Sequence, residues 1–404
     1  MLGDALDHHQ LFLAALLVET ALARGLITML GEEFDERYLA ALDRTVIDRE
    51  VLRRAADSLS IVYTPLHGAG RRLVPEVLRR VGLRHIHPVP EQMVPDGDFP
   101  TVVKPNPEYE EVFRLGIRLA DEVGADLVIA TDPDSDRVGV VTRTKDGGFR
   151  TVSGNQMGAL LLDYIIGARR RTGRMPEGAF AIKSIVSTDL VTKIAEVNGI
   201  RLFDVLTGFK YIAEVIKDKE ASGEEGGFLL GFEESYGYMT GSYTRDKDAV
   251  GTTLMIAEMT AYYEERGMTL ADALAELDRK YGVYRERTAE IYMEGLDGLE
   301  RQRRTMEALR ATPPTTLGGA RVVSIGDYSK GYFTNIETGE RTDITQPRSN
   351  VLYFVTEDGD KVVIRPSGTE PKIKLYLLVH GEDEGEALSK IDRLAADTAA
   401  FSRV

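Results

Sequence analysis

The 404-residue chain contains no cysteine. Disulfides, thiolate metal sites and cysteine nucleophiles are therefore excluded, and the cytoplasm is the expected compartment. Basic charge is also short: 50 Lys and Arg face 65 Asp and Glu, a formal net charge of −15. That balance argues against a nucleic-acid partner, because a phosphate backbone needs a net basic face. No apolar run is long enough for a membrane span. Residues 11–18 are continuously apolar, but Glu19 and Arg24 follow, and a bilayer needs ~20 apolar residues. Asp4 and Asp7 stand where a signal peptide would carry basic residues. The expectation here is an amphipathic helix packed on another element, with no membrane partner. What is present, 43% apolar and 28% charged residues, suits a globular protein of two to four domains.

Along the chain, residues 36–57 carry Tyr38, Leu39, Leu42 and Ile47 at helical spacing. Ser60-Ile-Val-Tyr63 then reads as a strand, Thr64-Pro-Leu-His-Gly-Ala-Gly70 as a turn, and residues 71–81 as a helix stopping at Gly82. The pattern repeats at Phe180-Ala-Ile-Lys-Ser-Ile-Val186, loop Ser187-Thr-Asp189, and a helix over 190–197 ending at Gly199. Each unit is followed by an apolar strand running into an acidic loop. Residues 125–130 precede Thr131-Asp-Pro-Asp-Ser-Asp-Arg137, and residues 227–230 precede Gly231-Phe-Glu-Glu-Ser-Tyr-Gly237. Apolar strands alternating with helices predict sheets covered on both faces, with ligands beyond the strands' carboxyl ends. After a Pro/Gly/Thr linker at 311–319 come strand patterns at 321–325, 351–356, 361–364 and 372–379, then a helix over 384–401. The expected architecture is two similar mixed-sheet α/β domains followed by a smaller α+β domain. Boundaries are expected at a helical 1–40, α/β 41–150 with a metal loop, α/β 151–285 with a sugar loop, and α+β 286–404.

Three features carry chemistry. Asp132, Asp134 and Asp136 alternate on one loop, and such carboxylates repel unless a cation lies between them. Oxygen-only ligands on a short loop suit Mg²⁺. An EF-hand is excluded because its Gly and Glu positions hold Arg137 and Arg143. Arg365-Pro-Ser-Gly-Thr369 offers a guanidinium fork, hydroxyls and a glycine-freed backbone, a phosphate cradle or else a plain turn. Glu233, Glu234 and Ser235 suit sugar hydroxyls, while Thr207-Gly-Phe-Lys210 is a loop with a cation, or merely a strand-to-helix turn. There is no Walker A loop, and Leu73 occupies the sixth place of a dinucleotide fingerprint begun at His67-Gly-Ala-Gly70. His85 and His87 alternate on a strand and read as structural.

Together and in this order, these segments resemble the α-D-phosphohexomutase superfamily, in its bacterial phosphoglucomutase/phosphomannomutase branch with phosphopentomutase-like relatives. Tyr63-Thr-Pro-Leu-His-Gly68, Asp132-Pro-Asp-Ser-Asp-Arg137, Thr207-Gly-Phe-Lys210, Gly231-Phe-Glu-Glu-Ser-Tyr-Gly237, Arg245-Asp-Lys-Asp248 and Arg365-Pro-Ser-Gly-Thr-Glu-Pro371 carry the likeness from about residue 30 onward. The resemblance implies Mg²⁺ on Asp132, Asp134 and Asp136, and Arg137 beside the reacting phosphate. It implies Lys247 in proton transfer, and Thr207, Gly208, Lys210, Glu233 and Ser235 on the sugar. Arg365, Ser367, Gly368 and Thr369 would hold the non-reacting phosphate. The implied reaction interconverts hexose 1-phosphate and hexose 6-phosphate through a bisphosphate, with glucose 1,6-bisphosphate as activator.

One departure stands out. The family nucleophile is a serine in a loop Thr-Ala-Ser-His-Asn-Pro within an N-terminal domain, and no serine here precedes a histidine. The expectation is the second to fourth domains of a four-domain enzyme, with the serine domain absent from this chain or carried by a separate polypeptide. The alternatives are an inert sugar-phosphate-binding protein, and a phosphatase with Asp132 as nucleophile and Asp134 as acid. Mannose and pentose specificities also stay open.

Overall fold

The computed structural model describes residues 8–403 apart from Glu294, Leu296 and Thr369. The chain forms two compact units, one up to Arg44 and one from Thr45 onward. In the first lie α1 (His8–Ala23) and α2 (Glu32–Asp43). Leu16, Leu17 and Val18 are 49%, 69% and 49% exposed. Three consecutive positions lie roughly 100° apart on a helix, so α1 is apolar around most of its circumference rather than amphipathic as expected.

The stretch 36–57 is not one helix. It breaks between α2 and α3 (Arg49–Arg54), with Asp48 capping α3 at Val51 N. The cause is distant in sequence: the buried Glu258 carboxylate accepts from Ile47 N at 3.0 Å, Asp48 N at 2.9 Å and the Tyr164 hydroxyl at 2.8 Å. A helix through 47 and 48 would turn those N–H groups back on its own carbonyls and leave a buried carboxylate short of donors.

From Thr45 on, three sheets follow in order. The first holds β1 (Ser60–Thr64), β2 (His85–Pro88), β3 (Leu127–Thr131), β4 (Val138–Arg143) and β5 (Phe149–Val152), arranged β2-β1-β3-β4-β5. The first three are parallel, and β4 and β5 are antiparallel additions. With them go α4 (Gly70–Arg80) and α5 (Arg114–Val123), and α6 (Gly154–Arg171) leads onward. The second sheet, β7-β6-β8-β9, repeats the design with β6 (Phe180–Ser184), β7 (Arg201–Val205), β8 (Phe228–Glu233) and antiparallel β9 (Gly237–Met239). Its helices are α7 (Leu190–Asn198), α8 (Phe209–Ala221), α9 (Ala249–Glu264) and α10 (Leu270–Tyr281). Every residue of α9 from Ala249 to Ala261 is buried, as an all-round apolar helix between layers must be. β3 is wholly buried, and so are β6 and β8, which is why all three read as continuous apolar runs.

The third sheet is antiparallel: β10 (Val283–Tyr292), β17 (Lys372–Gly381), β16 (Lys361–Pro366), β15 (Leu352–Thr356), β12 (Ala320–Asp327), β13 (Tyr332–Asn335) and β14 (Arg341–Asp343) lie in that order. It is backed by α11 (Gly298–Ala311) and α12 (Glu384–Ala399). β10 pairs with β17 from Val283 to Tyr292, so a boundary at 285 cuts this strand. The expected linker at 311–319 is partly structured, because β11 (Thr316–Leu317) makes a hairpin with β12. Tyr353, Val363, Tyr376 and Leu378 of this sheet pack on Ile185, Val186 and Leu206, which follow β6 and β7. The third sheet is thereby seated against the carboxyl ends of the second. Among the described residues, no helix is long and apolar enough to cross a membrane.

Candidate functional site

The loop after β3 folds around its first aspartate. Asp132 Oδ1 accepts the backbone N–H groups of Asp136 at 3.0 Å and Arg137 at 2.9 Å, and Ser135 adopts a positive φ of 61° to close the turn. One ligand oxygen from each of Asp132, Asp134 and Asp136 lies within 4.8 Å of the others. Burial, reinforced by the charges of Asp136 and Asp134 against the Arg137 N–H, pushes the Asp132 carboxyl up to about 7. Three carboxylates so close, one of them buried, fit a hard divalent cation by chemistry and by spacing.

Close backbone approach sets this loop. Gly68, at the end of the turn after β1, lies against Pro133, and Ala69 N donates to Pro133 O at 2.7 Å. A Cβ on residue 68 would lie 2.6 Å from the Pro133 carbonyl carbon and nearer still to its Cα and oxygen. The glycine of Tyr63-Thr-Pro-Leu-His-Gly68 is therefore the floor of the acidic loop. His67 is satisfied by Val94 O at 2.9 Å and Thr101 Oγ1 at 2.8 Å, and His85 and His87 stack on each other.

The second acidic loop meets the first. Val138 N donates to Tyr236 O at 3.0 Å, Arg137 bridges to Gly237, and Ala249 N donates to Ser135 O at 3.2 Å. Lys247 Nζ lies 2.9 Å from Asp136 Oδ2 and 3.1 Å from Asp246 Oδ1. Burial disfavours its charge, but the hydrogen bonds and charges of those two aspartates outweigh burial and raise its pKa. Glu233, at the end of β8, is buried and accepts from Gly208 N. Burial raises its carboxyl, opposed by that N–H and by the positive charges of Lys247, Arg365 and Arg137. Glu233 pairs with Gly237, which bridges to Arg137, so it lies where the two acidic loops meet.

Other sequence candidates fall differently. Glu234 turns into the protein: it accepts from Ser184 Oγ at 3.1 Å, and burial, with the Glu233 charge adding, pushes its carboxyl up to about 7. Ser235 is half-buried beside it. The Thr207 hydroxyl is buried with no hydrogen-bond partner among the described residues, whereas Lys210 is exposed, its Nζ 4.8 Å from the centre of the Tyr211 ring. Ser367 Oγ accepts from Glu370 N at 3.2 Å, and Gly368 has open space around it. Thr369 lies outside the described residues. Asp248 caps α9 through Val250 N and Gly251 N. Nothing in the sequence marks Glu108, whose Oε1 accepts from Arg137 Nη1 at 2.6 Å.

Three family models match the chain: phosphoglucomutase/phosphomannomutase α/β/α domain II over residues 36–147, domain III over 153–281, and the C-terminal domain over 331–397. A phosphoglucomutase of Staphylococcus epidermidis is 37% identical over 319 residues, which are 79% of this chain and 57% of that protein. The chain spans 57–63% of the length of such curated relatives. Among solved structures, the phosphoglucomutase parafusin of Paramecium in its open form aligns with a TM-score of 0.64 at 16% identity, over 91% of this chain and 62% of that one. An Aspergillus fumigatus N-acetylphosphoglucosamine mutase, solved with glucose 1,6-bisphosphate, aligns at 0.51 and 14% identity over 91% and 64%. These structural likenesses bear on the fold; the family models and the sequence relatives carry the assignment. The chain belongs to the phosphoglucomutase/phosphomannomutase family.

Proposed function

We propose that this chain supplies the metal, sugar and phosphate loops of a phosphosugar mutase that interconverts hexose 1-phosphate and hexose 6-phosphate, with glucose as the hexose. The observation that carries the reading is the joining of the two acidic loops: Glu233 pairs with Gly237, Gly237 bridges to Arg137, and Lys247 Nζ lies 2.9 Å from Asp136 Oδ2. The relatives named phosphoglucomutase favour glucose, and the fungal mutase bound to glucose 1,6-bisphosphate supports that compound as activator. We place the protein in the cytoplasm on its cysteine-free composition.

In this reading Asp132, Asp134 and Asp136 hold Mg²⁺, which when bound would neutralise charge on the transferring phosphoryl group. Arg137 faces that phosphate. Glu233, Gly208, Thr207, Lys210 and Ser235 orient the sugar, and Lys247 is the proton-transfer group beside it. Arg365, Ser367, Gly368 and Thr369 clamp the non-reacting phosphate, which lets the sugar bind in two opposite orientations. The phosphoryl group moves from a phosphoserine to a sugar hydroxyl. The serine O–P bond breaks, the sugar O–P bond forms, and the proton of the sugar hydroxyl ends on the freed serine oxygen. After the bisphosphate turns round, its other phosphoryl group returns to serine. That serine is supplied from outside these 404 residues, whether on the same polypeptide or another.

Calorimetry with glucose 6-phosphate and with glucose, on wild type and Arg365→Lys, tests the site. An ammonium cannot copy a bidentate fork, so the variant should lose about tenfold in sugar-phosphate affinity with little change for glucose. Equal losses for both ligands, or none for either, would remove Arg365 from the phosphate.

A further inference from the structure

Arg137 stands among three carboxylates, and the one it is hydrogen-bonded to lies outside the acidic loop. Its Nη1 donates to Glu108 Oε1 at 2.6 Å. Its Nε stands 3.8 Å from both Asp132 Oδ2 and Asp136 Oδ1, beyond hydrogen-bond reach. Glu108 arrives on a stiff segment, Lys104-Pro-Asn-Pro-Glu108. Its two prolines fix φ, Asn106 Oδ1 accepts the Glu108 N–H at 2.9 Å, and Pro107 is seated on β4 at Gly139, where a Cβ would come within 2.7 Å of the proline ring. The backbone of this segment is thus set without any help from Arg137.

We propose that Glu108 is a positioning residue that keeps the metal loop open. An arginine one residue after Asp136 is permanently at high effective concentration beside these carboxylates, and its guanidinium can pair with a carboxylate through two parallel hydrogen bonds. Closing the remaining gap of about 1 Å to hydrogen-bond distance would occupy the Asp132 and Asp136 oxygens that a divalent cation needs. Glu108 holds the guanidinium by its outer nitrogen and prevents that collapse. The same tether leaves Nη2 without a hydrogen-bond partner among the described residues, free to meet an incoming phosphate oxygen. The proposal rests on the metal reading of Asp132, Asp134 and Asp136.

The test is a double-mutant cycle read as Mg²⁺ affinity by calorimetry on the 404-residue chain, using wild type, Glu108→Gln, Arg137→Gln and the double variant. Glu108→Gln should weaken Mg²⁺ binding about tenfold when Arg137 is present and by less than about twofold when it is absent. Equal weakening in both backgrounds would show only the field of a lost charge and overturn the proposal, as would no weakening in either. If Glu108→Gln lowers the urea midpoint, Glu108→Asp repeats the comparison. It keeps the charge but falls a methylene short of Arg137, and should weaken binding only while Arg137 is there. A wild-type chain that binds no Mg²⁺ would overturn the metal site and this proposal together, and would be seen before any variant is made.

Discussion

Gly68→Ala puts the positioning of the metal loop to a direct test. The added Cβ would lie 2.6 Å from the carbonyl carbon of Pro133, and ordinary contact begins at 3.4 Å, so the two backbones must part by at least 0.8 Å. Neither atom belongs to a flexible side chain, so the strain cannot be relieved by a rotamer. Overpacking of this kind costs about 1–3 kcal/mol. The 2.7 Å hydrogen bond from Ala69 N to Pro133 O would stretch as well, adding about 1 kcal/mol. Urea unfolding should therefore show a loss of about 2–4 kcal/mol. Calorimetry should show Mg²⁺ affinity reduced by tenfold or more, of the order expected when ligand atoms shift by about 1 Å. Gly97→Ala is the control, because its Cβ would meet nothing within 4 Å, and it should change neither reading. Gly68→Ala with wild-type stability and wild-type Mg²⁺ binding would refute the claim that this contact fixes the acidic loop.

Two further predictions follow from the same structure. Asp134→Asn removes one of three converging charges while keeping the side-chain shape, and calorimetry should show Mg²⁺ binding weakened by about tenfold or more. Burial raises the Glu286 carboxyl from 4.5 to about 7, against the Thr188 hydrogen bond and the Arg285 charge. Between those values the folded state binds more protons than the unfolded state, so stability should fall as pH rises through that window, by up to about 3 kcal/mol. Glu286→Gln should flatten that slope in denaturant titrations at pH 5, 6, 7 and 8.

The α/β units were legible because β1, β3, β6 and β8 are covered on both faces, which leaves continuous apolar runs bounded by turn residues. The Asp132 loop stood out because three carboxylates at alternate positions are costly without a cation. What escaped depends on partners far along the chain. The helix break at 44–48 is held by Glu258, more than 200 residues away, and no local pattern records it. β10 alternates charged and apolar residues too irregularly to stand out, and is a strand because it pairs with β17. Glu234 and Glu233 are adjacent and chemically alike, yet one accepts from Ser184 Oγ and the other from Gly208 N, a difference decided by which way each points at the end of β8. Glu108 lies in a proline-flanked loop without periodicity and gains meaning only from Arg137, 29 residues on.

On the proposed function, these 404 residues bind a hexose phosphate but contain no serine able to relay its phosphoryl group. A coupled mutase assay on the purified chain, run with Mg²⁺ and added glucose 1,6-bisphosphate so that priming is not limiting, tests it most directly. Without the covalent relay, charge stabilisation and positioning have no phosphoryl donor to act on, and conversion of glucose 1-phosphate should not rise above the enzyme-free blank. Robust turnover by this chain alone would contradict the claim and mean that a nucleophile lies within residues 1–404.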